Sequence, residues 1–277
     1  MKVHLYTLQN EIPMKPSIST LNMLKAEIYK TLHNRRIVAL LCSPLIIYLL
    51  IFFYAVYKSR IGFFDETSLT YDGNPWLTLW SRYTLPILSL VTPPAIITLS
   101  YLICDMEYLN DNIRMLFALP VPKWKLYLSK AFTLVLLITA LMITMWVGFV
   151  MGGYMLGYLI PAYKFTEYTI WEVSTQVMLR SLLASLSVSV FGLAISLFSR
   201  NFTLPILLGF FLTAFAVFVT NEQLGEFLPF ATFTYLASLR PIEELTTYGL
   251  RDTINLLFGI IMVLIGYHYF TPERGSK

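Results

Sequence analysis

Six stretches of this chain run for about twenty residues or more without a single Asp, Glu, Lys or Arg. They are Ile37–Tyr57, Tyr83–Cys104, Ala131–Tyr163, Ser181–Ser199, Asn201–Asn221 and Thr253–Pro272. A bilayer's hydrocarbon core is roughly 30 Å thick, and about 20 apolar helical residues cross it with every backbone amide satisfied internally. The expected fold class is therefore an all-α integral membrane protein with six transmembrane helices. Composition agrees: 57% of the 277 residues are hydrophobic and only 13% charged, about half the charged share of a soluble domain. A further apolar run, Phe227–Leu239, is too short to cross and reads as re-entrant or interfacial.

Charge sets the orientation. With the N-terminus cytoplasmic, the inner segments hold 13 of the 20 Lys and Arg and the outer segments hold 7, so the positive-inside rule puts both termini in the cytoplasm. The net charge of +4 then reflects attraction to an anionic inner leaflet, and no nucleic-acid partner is expected. The polar leader of residues 1–36 does not read as a cleavable signal. Within it, Ile18, Leu21, Leu24, Ile28 and Leu32 fall at helical spacing while Lys25, Lys30 and Arg35 point largely elsewhere. This predicts an amphipathic helix on the inner surface, serving either as a plain anchor or as a docking element. Cys42 and Cys104 both fall within spanning runs and read as small packing residues.

Within the runs, Pro44, Pro86, Pro93, Pro94 and Pro205 are expected to kink or interrupt helices. The steps GFVMG (148–152) and GYMLG (153–157) would allow close helix contact. Ser181, Ser185, Ser189, Gly192 and Ser196 form a stripe on one face of the fourth run. The serines are either an interhelical seam or a mildly polar wall of a transport path. Trp76 and Trp80, ahead of the second run, are expected at interfacial depth.

Reactive groups are few. The sequence has no GxSxG, HExxH or CxxC, and His4, His33 and His268 are scattered. Asp105, Glu107 and Asp111 form a small acidic group resembling the magnesium sites of intramembrane transferases, but no second acidic cluster accompanies it. The first five runs hold no Asp, Glu, Lys, Arg or His to carry a driving ion, His268 lying near the end of the last, and no GxxxxGK[ST] phosphate loop is present. Energy for any transport must come from a partner.

Residues 107–130, EYLNDNIRMLFALPVPKWKLYLSK, interrupt this oily pattern. Leu109, Ile113, Leu116 and Phe117 share one helical face, with Glu107, Asp111 and Arg114 off it. Pro120 and Pro122 then stop the helix, Trp124 and Tyr127 sit at the interface, and Lys130 marks the start of the third span. An acidic residue after the second helix, Leu119-Pro120-Val121-Pro122 a dozen residues on, and Lys130 together resemble the permease subunits of ABC-2 type transporters. The six-helix count, inward termini, amphipathic leader and the segment GEFLPFATFTYLASL are similar to the same family.

The resemblance implies an ABC-2 type exporter fold and a transporter permease that is not itself an enzyme. Its domains would be a cytoplasmic leader, 1–36, containing the connecting helix, then a six-helix domain, 37–272, and a cytoplasmic tail, 273–277. The spans would lie near 37–57, 83–104, 131–157, 178–199, 202–221 and 253–271, with a coupling helix at 107–119 and an outer re-entrant element at 224–238. Glu107, Asp111, Ile113, Leu116, Phe117, Pro120 and Pro122 would contact two copies of an ATPase subunit, which would hold ATP and magnesium; no cofactor or metal belongs to this chain. A second permease, identical or related, would complete the unit in the cell membrane. Asn74-Pro75-Trp76, the short outer loops and LPVPKW look most like the subgroup giving immunity to lantibiotics and other peptide antibiotics. The candidate substrate path is the stripe Ser181, Ser185, Ser189 and Ser196. Two other readings stay open: a non-transporting scaffold or sensor that recruits a cytoplasmic partner, and an intramembrane transferase.

Overall fold

The computed structural model describes residues 20–59, 74–80, 84–108, 122–161, 164–199, 201–237, 244 and 246–270. These residues are helical almost throughout. In chain order they form α1 (Thr20–Leu32), α2 (Arg35–Ser59), α3 (Pro75–Leu79), α4 (Leu85–Leu90), α5 (Thr92–Tyr108), α6 (Lys123–Leu159), α7 (Trp171–Phe198), α8 (Thr203–Val219), α9 (Gln223–Phe227), α10 (Pro229–Ala237) and α11 (Leu250–Phe270), with one 3₁₀ turn at Phe165–Glu167. Four of the described helices contain stretches long and apolar enough to cross a membrane: Arg35–Tyr57, Trp124–Leu159, Trp171–Leu197 and Leu250–His268. Beside them lie the broken pair α4–α5 and the shorter apolar helix α8.

Local chemistry explains the boundaries. Asn34 separates α1 from α2, and its side chain accepts the Arg36 amide at 3.0 Å, satisfying one orphan donor of α2. Asn74 does the same for α3, accepting from Trp76 N at 3.0 Å with Pro75 in the first turn. The second apolar run does not form one helix. Pro93 and Pro94 have no amide hydrogen to give to Ser89 and Leu90, so the chain breaks at Val91 and resumes at Thr92. Pro205, by contrast, lies in the first turn of α8, where a missing donor costs nothing, so it starts a helix and kinks none. Pro44 sits inside an uninterrupted α2. Pro122 is the N-cap of α6, which begins at Lys123, seven residues before Lys130.

α5 and α7 form the centre, with α11 and α6 against α7, α2 against α6, and α8 against α5. Because lipid is as apolar as a leucine side chain, such helices associate through close packing. A Cβ on Gly192 would lie 3.0 Å from Ser100 Oγ and 3.3 Å from Ile97 Cα, so only glycine lets α7 approach α5 this closely. The Ser100 hydroxyl closes the same contact by donating to Ser189 O at 3.1 Å. The glycines of α6 work differently from the expectation. Gly148 is filled by the ring of Tyr48 and Gly153 by that of Trp76, while Gly152 faces open space. Gly148 and Gly153 are thus sockets for aromatic rings.

Trp76 and Trp80 correct a second expectation, since both are buried in protein. Trp76 Nε1 donates to Phe165 O at 2.7 Å, and the Trp80 ring meets Phe149 edge-on at 4.8 Å. Tyr127 is likewise buried, its hydroxyl donating to Val263 O on α11 at 3.2 Å. Of the cysteines, Cys104 is buried while Cys42 is exposed on α2. The short apolar run folds as α9 and α10, and α10 packs against α4, α7, α8 and α11 with Phe230, Ala231, Thr232, Phe233 and Leu236 buried.

Candidate functional site

The ends of α5 and α6 bracket the 107–130 stretch. Glu107 lies in the last turn of α5; Asp111, Ile113, Leu116, Phe117 and Pro120 fall outside the described residues, and Pro122 is exposed at the head of α6. Each helix that carries an end of the segment is tied to an N-terminal helix by an ion pair. On α6, Lys130 is almost wholly buried and its ammonium donates to Glu27 Oε1 on α1 at 2.8 Å. Lys130 is thus an internal strut two turns into α6, not the marker of its start. On α5, Asp105 Oδ2 lies 3.7 Å from Arg36 Nη1 at the start of α2, and its Oδ1 accepts the Tyr101 hydroxyl at 3.0 Å. α1 itself runs along α6, with Leu21, Tyr29 and Leu32 exposed on its other side beside Lys25.

Next to the Arg36–Asp105 pair, α2, α5 and Phe202 enclose a groove of about 790 Å³. Its polar end is formed by Arg36, Tyr101 and Asp105, and its apolar flank includes Leu40, Leu102 and Phe202. Tyr101 and Phe202 meet edge-on at 5.2 Å. Sequence reasoning singled out Asp105 only as one of three acids. Among the described residues, no three His, Cys, Asp or Glu gather as a metal-holding group, and Asp105 is engaged by Arg36 and Tyr101.

The serine stripe lies elsewhere. Ser181, Ser185, Ser189 and Ser196 are all buried. Their hydroxyls donate to carbonyls of their own helix, those of Val177, Ser181, Leu186 and Gly192, at 2.6–2.7 Å. In this conformation the four hydroxyls are buried and bonded within their own helix.

The opposite end of the bundle holds a polar assembly that sequence reasoning missed. Arg180 Nε donates to Asp252 Oδ1 at 3.1 Å, joining α7 to α11, and both side chains are under 5% exposed. Arg180 Nη1 also donates to Glu244 O at 2.8 Å, and Asp252 Oδ2 accepts the Gly249 amide at 2.9 Å. Arg251 lies 4.1 Å from the centre of the Tyr235 ring and donates to Thr220 O and Ala231 O, so it links the start of α11 to the end of α8 and to α10. A weak signal existed: Arg180 and Asp252 are opposite charges, each immediately before an apolar run.

A family model of the ABC-2 family transporter proteins matches residues 23–216, from α1 through most of α8. The chain belongs to the ABC-2 transporter family. No curated protein and no solved structure matches it significantly. Membership makes this permease a multi-pass membrane component of a transporter, in keeping with its long apolar helices, and implies an ABC ATPase as partner. The match ends before α9, α10 and α11 and so leaves the Arg180–Asp252 assembly only half within it.

Proposed function

We propose that the chain is the permease subunit of an ATP-driven ABC exporter, with six spans and cytoplasmic termini, that moves a hydrophobic or amphipathic compound, such as a lantibiotic or other peptide antibiotic, out of the membrane or cell. Family membership carries the reading. The broken pair α4–α5 and the apolar α8 supply the second and fifth spans, beside the four longer helices. Two permeases, identical or related, work with two ATPase subunits that hold ATP and magnesium, in the cell membrane. Ionisable groups occur in the helices, but Arg180 and Asp252 neutralise each other and offer nothing to a driving ion.

In this reading 107–119 is the coupling helix. When ATP draws the two ATPases together, the segment is displaced, and its two flanks carry that displacement along separate routes. One route runs through Asp105 to Arg36 and α2, the other through Lys130 to Glu27 and α1. The test is substrate-stimulated ATPase activity in the reconstituted complex, compared with Leu116→Asp and Phe117→Asp. The variants should insert normally and hydrolyse ATP without coupled transport; normal transport in both would overturn the coupling role. A complex showing no substrate stimulation at all would favour a scaffold.

A further inference from the structure

Among the described residues, the groove beside α2 and α5 contains one charge that is fixed and one that is not. Asp105 is 18% exposed and its Oδ1 is held by the Tyr101 hydroxyl. Arg36 is 73% exposed and reaches Oδ2 at 3.7 Å, well beyond the roughly 2.7–2.9 Å of a charge-assisted hydrogen bond. A carboxylate enclosed to this degree is costly without a cation beside it. The cation it has is the partner that can swing into water. The fixed charge therefore sets the sign of what the groove retains, and Arg36 occupies the place of a ligand cation.

We infer that this groove binds a cationic amphiphile, with its ammonium at Asp105 Oδ2 in place of Arg36 and its apolar portion along Leu40, Leu102 and Phe202. Phe202 is half exposed and lies against Tyr101, so the groove holds aromatic rings near its polar end, and rings of this kind attract cations. An anionic amphiphile would have to pair with Arg36 while facing a carboxylate that cannot move away. The inference builds on the export reading, in that it names the class of compound the permease takes up, and Asp105 is its recognition residue.

The experiment uses the full chain in phosphatidylcholine nanodiscs and a dodecylammonium nitroxide, whose immobilised fraction is read by electron paramagnetic resonance. Immobilisation should saturate and be reversed by dodecylamine but not by dodecanoate. Asp105→Asn should weaken binding roughly tenfold or more, the loss of one ionic hydrogen bond. Arg36→Ala removes the internal competitor and should tighten binding, an outcome that a damaged fold would not give. Unchanged affinity in Asp105→Asn, weaker binding in Arg36→Ala, or a preference for dodecanoate would overturn the site. Binding is read without the ATPase, so the two readings fail separately. A cation that binds through Asp105 yet leaves the assembled ATPase unstimulated sinks export and keeps the site. Stimulation by dodecylamine that persists in Asp105→Asn keeps export and sinks the site.

Discussion

The two ends of this bundle are each fastened by charges between helices, but the fastenings differ in kind. Arg180 and Asp252 are both shut away from solvent, and each makes a further bond to the backbone, Arg180 to Glu244 O and Asp252 with the Gly249 amide. Arg36 and Asp105 meet at long range, with one partner largely in water. A buried pair with further backbone bonds resists rearrangement, because any opening strands a charge at low dielectric. A half-open pair can exchange partners at little cost. The end that flanks residues 109–121 has the exchangeable pair, and the end carrying α9 and α10 has the fixed one. Lys130–Glu27 lies between them in character: its ammonium is buried while its carboxylate is partly exposed.

The comparison breaks first on Arg180. Arg180→Ala leaves Asp252 buried and alone, and should cost about 3–5 kcal/mol of stability, read by unfolding in mixed micelles. The double change Arg180→Met with Asp252→Leu should be much milder. If the double variant is as damaged as the single, the packing of α7 on α11 depends on shape and the charge lock is not the cause.

Lys130→Met should cost less, about 1.5–3 kcal/mol, since Glu27 can recover some hydration. Its more specific readout is faster proteolysis of α1, which loses its strut to α6. A smaller and separable effect concerns the aromatic sockets. On Gly153 a Cβ would collide with the Trp76 ring at Cζ3, so Gly153→Ala should cost about 1–3 kcal/mol by displacing the ring. Gly152→Ala, with nothing within 4 Å, should cost nothing or gain up to about 1 kcal/mol of helix propensity. Equal effects at the two neighbours would refute the socket. Smallest of all, Arg36→Ala should change stability by less than about 1 kcal/mol, because an exposed pair contributes little. A loss as large as that of Arg180→Ala would erase the distinction between the two ends.

Much of the fold was legible in the chain because hydrocarbon imposes a simple rule. A long uncharged run has to be helical there, and α2, α6, α7 and α11 each contain one. The break before Pro93 and the helix start at Pro122 follow from proline's missing donor. The short run that became α9 and α10 was recognisable as one that could not cross.

The site was less legible because the runs were bounded by their charges. Defining a span by the absence of Arg and Asp assigns every flanking charge to a loop. α7 instead begins at Trp171, ten residues before the uncharged run, and carries Arg180 into the protein. Trp76 offered no sign that it would be packed on Gly153 within the protein, because an aromatic near an apolar run can equally well face lipid. For Asp105 the residue was noticed and its partner was not, since Arg36 lies on a different helix and only packing brings them together.

By itself, the sequence determined that this is a helical membrane protein, roughly where its helices run and that it resembles the ABC-2 permeases, because hydropathy, proline and a short motif act locally along the chain. Only the tertiary structure decided which charges are buried and which are exposed, that the serine stripe is buried, and that a groove opens beside Asp105. Those properties depend on burial and on partners from distant segments, and neither quantity exists until the helices pack.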